Sequence, residues 1–368
     1  MKSWARLGQL RWLRAVCILA VFWVSVQFIL GRGFFDQPRT IRSDPHIPFE
    51  YDGLGGTVSP DNLCRHHGWR LFQPQDGVAR KIYDLIMVNN ELDWLEIRLN
   101  STYDHVDYFV IVEASQTFTG HPKPLTIKDN YDMFKPYHAK MIYHLLEYPP
   151  DFSPQRTWDR EDLQRDSTYT QVFPRLTGAQ APTKGDVMVV ADVDEIPRPE
   201  TLRVLRTCDF PRRLTLRSRF YYYGFQFRHR GPEWAHPQAT TFQGFGKTIL
   251  PGNLRTGDGG LPPLIYWDKA DLWNAAWHCS SCFRTMGELL DKMGAFSHTW
   301  MNRKEFRNRY RIADRIRNGK DLWDRSGQVY DLVENNKDVP PVLLKEPERF
   351  GYLLDRTGQN AGFVDYPA

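Results

Sequence analysis

Short apolar runs alternate along this chain with stretches of helical periodicity. Tyr83–Val88 is a continuous apolar run of strand length. Asn90–Leu99 then places Leu92, Leu95, Ile97 and Leu99 near helical spacing, with Asn90 as the cap. Asp107–Glu113 and Met141–Leu146 read as two further strands, and Asp159–Phe173 as a polar helix. Val187–Ala191 is a fourth strand, and Pro199–Arg206 opens another helix. Strands buried on both faces and separated by helices predict an α/β fold: a mixed, mainly parallel sheet flanked by helices. In such sheets ligands bind beyond the carboxyl ends of the strands. Glu113 and Asp192 both fall at such an end.

Beyond Asp209 the pattern changes. Residues 213–230 are strand-like and carry the aromatic triplet Tyr221, Tyr222 and Tyr223. Residues 252–263, rich in glycine and closed by two prolines, read as a flexible loop. After Arg303, a helix is expected with Phe306, Tyr310, Ala313 and Ile316 on one face and Gly319 as its stop. Its many arginines read as a solvated outer face.

The amino-terminal pattern bears on the compartment. Residues 1–14 carry Lys2, Arg6, Arg11 and Arg14 and no acid, and residues 15–31 run without a charge. At ~1.5 Å per residue this run spans roughly 25 Å, enough for a thin bilayer. The positive flank predicts a cytoplasmic tail (1–14), a transmembrane signal anchor (15–31) and a lumenal remainder. The rival, a cleaved signal peptide, lacks a small-residue cleavage site after the run. Residues 32–75, rich in Pro, Gly, Asp and Ser without period, read as a lumenal stem. The catalytic domain is then 76–368, with order starting near His67.

Composition narrows the classes. The 368 residues include 48 basic and 44 acidic, a net charge of +4 that gives no footing for nucleic acid. Twelve Trp, 17 Tyr and 22 Phe serve a core first, and suit stacking on sugar rings. With Cys17 in the anchor, four cysteines remain: Cys64, Cys208, Cys279 and Cys282. In an oxidising lumen they predict structural disulfides, in any of three pairings. Asn100-Ser101-Thr102 is a glycosylation sequon, usable only on that side.

Residues 186–199, DVMVVADVDEIPRP, drive an apolar strand into three acids, Asp192, Asp194 and Glu195. Like charges so close call for a positive partner or open water. Asp192 and Asp194 have the spacing of an Asp-x-Asp site, in which two carboxylates share a hard divalent cation that also bridges two phosphates. Acids also favour helix starts and turns, so Asp194 capping the turn before Pro197 is the plain alternative.

Five segments carry a resemblance: YDLIMVNNELDWLEIRL (83–99), DYFVIVEASQTFTGHPKPL (107–125), VMVVADVDEIPRP (187–199), WHCSSCF (277–283) and LLKEPERFGYLLD (343–355). Together, in this order, they resemble glycosyltransferase family 17 from about Trp69 to the end. The resemblance implies a GT-A, Rossmann-like fold and a single-pass type II Golgi membrane protein. It also implies an inverting transfer of N-acetylglucosamine from UDP-GlcNAc, with Mn²⁺ or Mg²⁺, to a mannose of a glycoprotein N-glycan in β-1,4 linkage. Asp194 would bind the metal, and Asp192 would hold ribose or a metal-bound water, with Glu195 behind them. Glu113 resembles the position that holds the uridine. His278 would complete the metal site, with His298 as its rival. Arg165 could fork onto the diphosphate, or pair with Glu161 or Asp162 on its own helix.

An inverting transfer also needs a carboxylate to take the acceptor proton. Glu288 and Asp258 are the candidates, although each alone also suits a helix or loop surface. Two other classes compete with the transferase. A lumenal metal-dependent hydrolase would use more histidine ligands than the chain offers. A non-catalytic glycan-binding protein leaves the acid cluster without a purpose.

Overall fold

The computed structural model describes residues 16–19, 21–22, 39–42, 58–74, 77–295 and 298–367. The cytoplasmic tail, most of the expected anchor and much of the stem lie outside these residues. Residues 16–19 and 21–22 are helical. Among the described residues, no helix is long and apolar enough to cross a membrane.

Among the described residues, thirteen strands are formed. They are β1 (Thr40–Arg42), β2 (Arg70–Leu71), β3 (Ile82–Val88), β4 (Tyr108–Glu113), β5 (Met141–Leu145), β6 (Val187–Asp192) and β7 (Glu195–Pro197). Then come β8 (Cys208–Asp209), β9 (Arg213–Tyr222), β10 (Gly224–His229), β11 (Gln238–Thr241), β12 (Lys269–Ser280) and β13 (Tyr330–Glu334). Eleven make one mixed sheet in the order β1-β13-β10-β9-β11-β6-β3-β4-β5, with β12 beside β9 and β7 beside β12. The run β6-β3-β4-β5 is parallel, and β11, β9 and β10 continue it antiparallel.

The parallel run follows from the apolar segments. Every residue of β3 is buried. Successive side chains of a strand point to opposite faces, and here they fill two cores. Ile82, Ile86, Phe109, Ile111, Val187 and Val189 pack beneath the Leu92–Thr102 helix with its Trp94, Leu95 and Ile97. Tyr83, Leu85, Val110, Val112, Met188 and Val190 pack with Tyr169 of the Thr157–Thr170 helix. A third core joins Tyr222 and Tyr223 to Met286, Leu289, Ile312, Ile316 and Trp323.

Three expectations change. The order begins before His67: β1 lies parallel to β13, and the Pro60–His66 helix is tied to β8 by the Cys64–Cys208 disulfide. The expected flexible loop contains a helix, Pro251–Thr256, which has Pro at its start and Gly257 in the left-handed region (φ 82°) at its end. The helix after Arg303 starts later, at Arg309, because the Asn308 side chain caps the Arg311 N–H. Ile312, Ala313 and Ile316 are its buried face, Phe306 precedes it, and Tyr310 turns to solvent. Gly319 does end it, at φ 58°.

Candidate active site

The parallel strands end on one edge. Met87 of β3 stands opposite Asp192 of β6, and Val88 opposite Glu113 of β4. Past Asp192 the chain turns and returns as β7. Arg98, fully buried on the Leu92–Thr102 helix, holds that turn from below. Its Nη1 donates to the carbonyls of Asp192 (3.1 Å) and Glu195 (2.6 Å). Its Nε and Nη2 donate to the two oxygens of buried Asp84 at 2.7 and 2.6 Å. A guanidinium satisfied in this way fixes the backbone of the three acids before any ligand arrives.

Two arginines answer the like charges. Arg165 Nη1 meets Asp192 Oδ1 at 2.9 Å, and Arg165 Nη2 meets Glu161 at 2.9 Å. Arg255 donates to Asp192 Oδ2 (2.7 Å) and to both oxygens of Glu195 (2.8 and 2.9 Å). Glu195 also accepts from Trp234 Nε1 (2.8 Å) and from the Asp192 N–H (3.0 Å). Burial alone would raise both acids, but Arg255 outweighs it. Asp192 is held below the usual carboxylate range with help from Arg165, and Glu195 well below it.

Asp194 differs. Burial pushes its carboxyl up to about 6, against the opposing pull of His278 and Lys292. His278 Nδ1 lies 3.8 Å from Asp194 Oδ1, too far for a hydrogen bond. That Nδ1 is buried and has no hydrogen-bond partner. His278 sits on β12 between Glu195 of β7 and Phe220 of β9. Its ring lies 4.9 Å from that of Phe220 and 5.1 Å from that of Trp234. Asp194 and His278 therefore face each other across a gap, and both line a cavity of about 340 Å³.

The same cavity takes in Asp192, Glu195, Lys292 and His298. Lys292 comes from the Met286–Ala295 helix and pairs with Glu91; burial disfavours its charge, but the carboxylates of Glu91 and Asp194 outweigh burial and hold its ammonium above the usual lysine range. His298 packs edge-on against Trp158, with ring centroids 5.1 Å apart. The Cys279–Cys282 disulfide closes the chain just after His278. The Cys-x-x-Cys pair is thus a structural link, as expected.

The structure brings Asp192, Asp194, Glu195, His278 and His298 to one cavity and places the other expected residues elsewhere. Glu113 is fully buried and accepts from the N–H groups of Ile127 (2.9 Å) and Lys128 (3.2 Å) and from the Tyr143 hydroxyl (2.7 Å). It anchors the Thr126–Asp129 turn and does not line the cavity. Arg165 is behind the wall, paired with Glu161 as well as Asp192. Glu288 closes a capping box with Thr285, each side chain bonding the other's backbone N–H at 3.0 Å. Asp258 is exposed, two residues beyond the Pro251–Thr256 helix. Neither candidate base is in the cavity wall.

The expected metal trio is not assembled. Among the described residues, no group of three or more His, Cys, Asp or Glu side chains is placed to hold a metal ion. Asp192 is committed at both oxygens to arginine. Asp194 and the unbonded Nδ1 of His278 do fit a divalent cation as a pair of ligands, leaving positions open for phosphate oxygens and water.

Arg98, Trp234, Arg255 and Lys292 were not foreseen as site residues. For Arg255 a signal existed, since Pro251 and Gly257 bracket a short helix in the pattern of Pro at the start and Gly just past the end. Arg98 was visible as a lone charge on the apolar side of a helix.

Residues 9–358 match the model of glycosyltransferase family 17. The chain is 27% identical over 304 residues to the human β-1,4-mannosyl-glycoprotein 4-β-N-acetylglucosaminyltransferase, covering 77% of this chain and 56% of that protein. It is 26% identical over 300 residues to the Rattus norvegicus protein of the same name, covering 76% of this chain and 55% of that one. The chain thus matches about half the length of these relatives. It belongs to glycosyltransferase family 17.

Proposed function

From that family membership, we propose that the chain transfers N-acetylglucosamine from UDP-GlcNAc to a mannose of a glycoprotein N-glycan, in β-1,4 linkage and with inversion. The observation that carries the reading is the gap between Asp194 and the unbonded Nδ1 of His278, 3.8 Å apart in a cavity at the carboxyl edge of the parallel strands. The names of the relatives support the sugar and the acceptor.

Asp194 and His278 would hold the divalent cation, Mn²⁺ or Mg²⁺, whose charge would offset that of the leaving diphosphate. The chain's own part is preorganisation. Arg98 and Asp84 set the turn, and Arg165 and Arg255 fix the Asp192 carboxylate facing the ribose. Lys292, which lines the same cavity, adds a positive charge toward the diphosphate. In an inverting transfer the bond from C1 of the sugar to the diphosphate oxygen breaks as the acceptor oxygen attacks from the other face, and the acceptor hydroxyl's proton passes to a carboxylate of the cavity wall. The basic amino-terminal flank, the apolar run and the two disulfides support a Golgi, single-pass type II placement with the catalytic domain in the lumen.

The test is calorimetric titration of the full chain, in detergent, with UDP-GlcNAc in the presence of Mn²⁺ or EDTA. UDP-GlcNAc should bind only with the metal, and Asp194→Ala should abolish binding. A folded chain that binds no nucleotide under either condition would sink the proposal.

A further inference from the structure

Part of the cavity wall comes from elements other than the strand-edge turn. It is built by Tyr222 at the end of β9, Ser281 and Phe283 after β12, and Trp323, Arg325 and Gln328. The last three lie in the connection, residues 318–329, between the Arg309–Arg317 helix and β13. Surface connections tend to be mobile. This one is built around a buried carboxylate.

Asp321, only 6% exposed, accepts from the N–H groups of Trp323 (3.0 Å) and Arg325 (2.9 Å), from Arg325 Nε (3.0 Å) and from the Tyr330 hydroxyl (2.9 Å). The Tyr223 hydroxyl accepts from the Leu322 N–H (2.8 Å) and donates to the Lys320 carbonyl (3.0 Å). Trp323 Nε1 donates to the Met301 carbonyl at 3.1 Å. So much bonding spent on a loop gives it one shape, and that shape presents an indole, a guanidinium and an amide to the cavity.

The chemistry of the display is specific. Trp323 and Tyr222 stand edge to face, 6.2 Å between centroids. Arg325 Nη2 donates to the Tyr222 and Tyr330 hydroxyls at 2.9 and 3.1 Å, while the side chain keeps 28% of its surface exposed. Nη1 takes no part in those bonds or in the bonds to Asp321. Aromatic walls with a few fixed polar groups at one edge match a pyranose, which has apolar C–H faces and a rim of hydroxyls. A fork donor and an amide suit adjacent hydroxyls. Because Asp321 already balances Arg325, the edge carries little net charge and offers a diphosphate no advantage.

We infer that this part of the cavity is an acceptor subsite for one neutral hexopyranose unit, with Trp323 and Tyr222 as its apolar wall and Arg325 and Gln328 as its hydroxyl-binding edge. The assignment of the ligand as acceptor rests on the proposed transferase reading, in which the donor binds at the Asp192–Glu195 turn.

Two titrations of the full chain test this: UDP with Mn²⁺, and a neutral trimannoside in the presence of UDP. Arg325→Lys keeps the charge but loses the fork. Gln328→Ala removes an amide that meets His229 but none of the side-chain bonds to Asp321, so the loop keeps its frame. Each should weaken trimannoside binding about tenfold, the worth of one well-placed hydrogen bond, and leave UDP affinity within about twofold. Trimannoside affinity unchanged in both variants, or none in the wild type, overturns the subsite. A fall in UDP affinity in both variants also overturns it, by moving these residues to the donor. Trimannoside binding that depends on Arg325, with no UDP binding, would leave the sugar subsite standing and remove the transferase reading.

Discussion

Two pairs of acidic and basic side chains meet at the turn between Asp192 and Glu195. Below it, Arg98 and Asp84 are completely engaged: both carboxylate oxygens are paired, and the guanidinium also holds two backbone carbonyls. Above it, Asp194 and His278 are 3.8 Å apart and share no hydrogen bond. Both are acid–base pairs at the same sheet edge. Breaking one partner of a satisfied buried pair is expensive, whereas an unsatisfied pair is already strained. The lower pair therefore belongs to the fold. The upper pair leaves bonding capacity unused, as the proposed cation site requires.

Mutation of each pair separates the two roles. Arg98→Met should cost about 3–5 kcal/mol of stability, because it strands buried Asp84 and frees the turn; denaturant unfolding measures it. If stability were unchanged, the turn would not depend on the lower pair. Asp194→Asn should do the reverse. At neutral pH it removes a charge that burial disfavours and gains up to about 3 kcal/mol, while metal-dependent nucleotide affinity falls by about a hundredfold, close to 3 kcal/mol. Loss of stability without loss of binding would make Asp194 a structural acid.

The pH dependence sharpens the contrast. The Asp194 carboxyl titrates at about 6, above the ordinary aspartate value of 3.8. A folded state that holds its proton more tightly than the unfolded chain loses that advantage as pH rises, here from about 4 to about 6. Stability should decline across this window in the wild type, and the decline should be smaller in Asp194→Asn. Nucleotide affinity should run the other way, weakening as pH falls below about 6. The smallest effect is expected from Trp234→Phe, which keeps the ring beside His278 but drops one bond to Glu195, for about 1 kcal/mol of stability.

The parallel core was legible because its strands are buried on both faces, so that Tyr83–Val88 and Val187–Ala191 appear as unbroken apolar runs. The strand-end acids and His278 were legible for the same reason, as polar residues that interrupt such runs. The partners of the acids were harder to find. Arg255 is 63 positions from Asp192 in sequence, in a glycine-rich stretch that suggested a loop. Spacing along the chain carries no trace of a contact made across the sheet. Glu288 was open to a better reading, since Thr285-x-x-Glu288 is a capping-box signature. Glu113 stands at the expected edge, but only the fold could place the N–H groups of Ile127 and Lys128 over its carboxylate. Tyr310 missed its face because Asn308 reset the start of its helix.

If the proposed anchor holds, the edge strand β1 limits how far the domain can stand from the membrane. Thr40–Arg42 is fixed alongside β13, and the Arg39 N–H donates to Asp331 at 2.9 Å. If residues 15–31 span the bilayer as proposed, only residues 32–38 remain as a tether. Fully stretched at ~3.5 Å per residue, that reaches no more than about 25 Å. The sheet edge would ride close against the lipid headgroups, and only acceptors able to enter that narrow zone would meet the cavity.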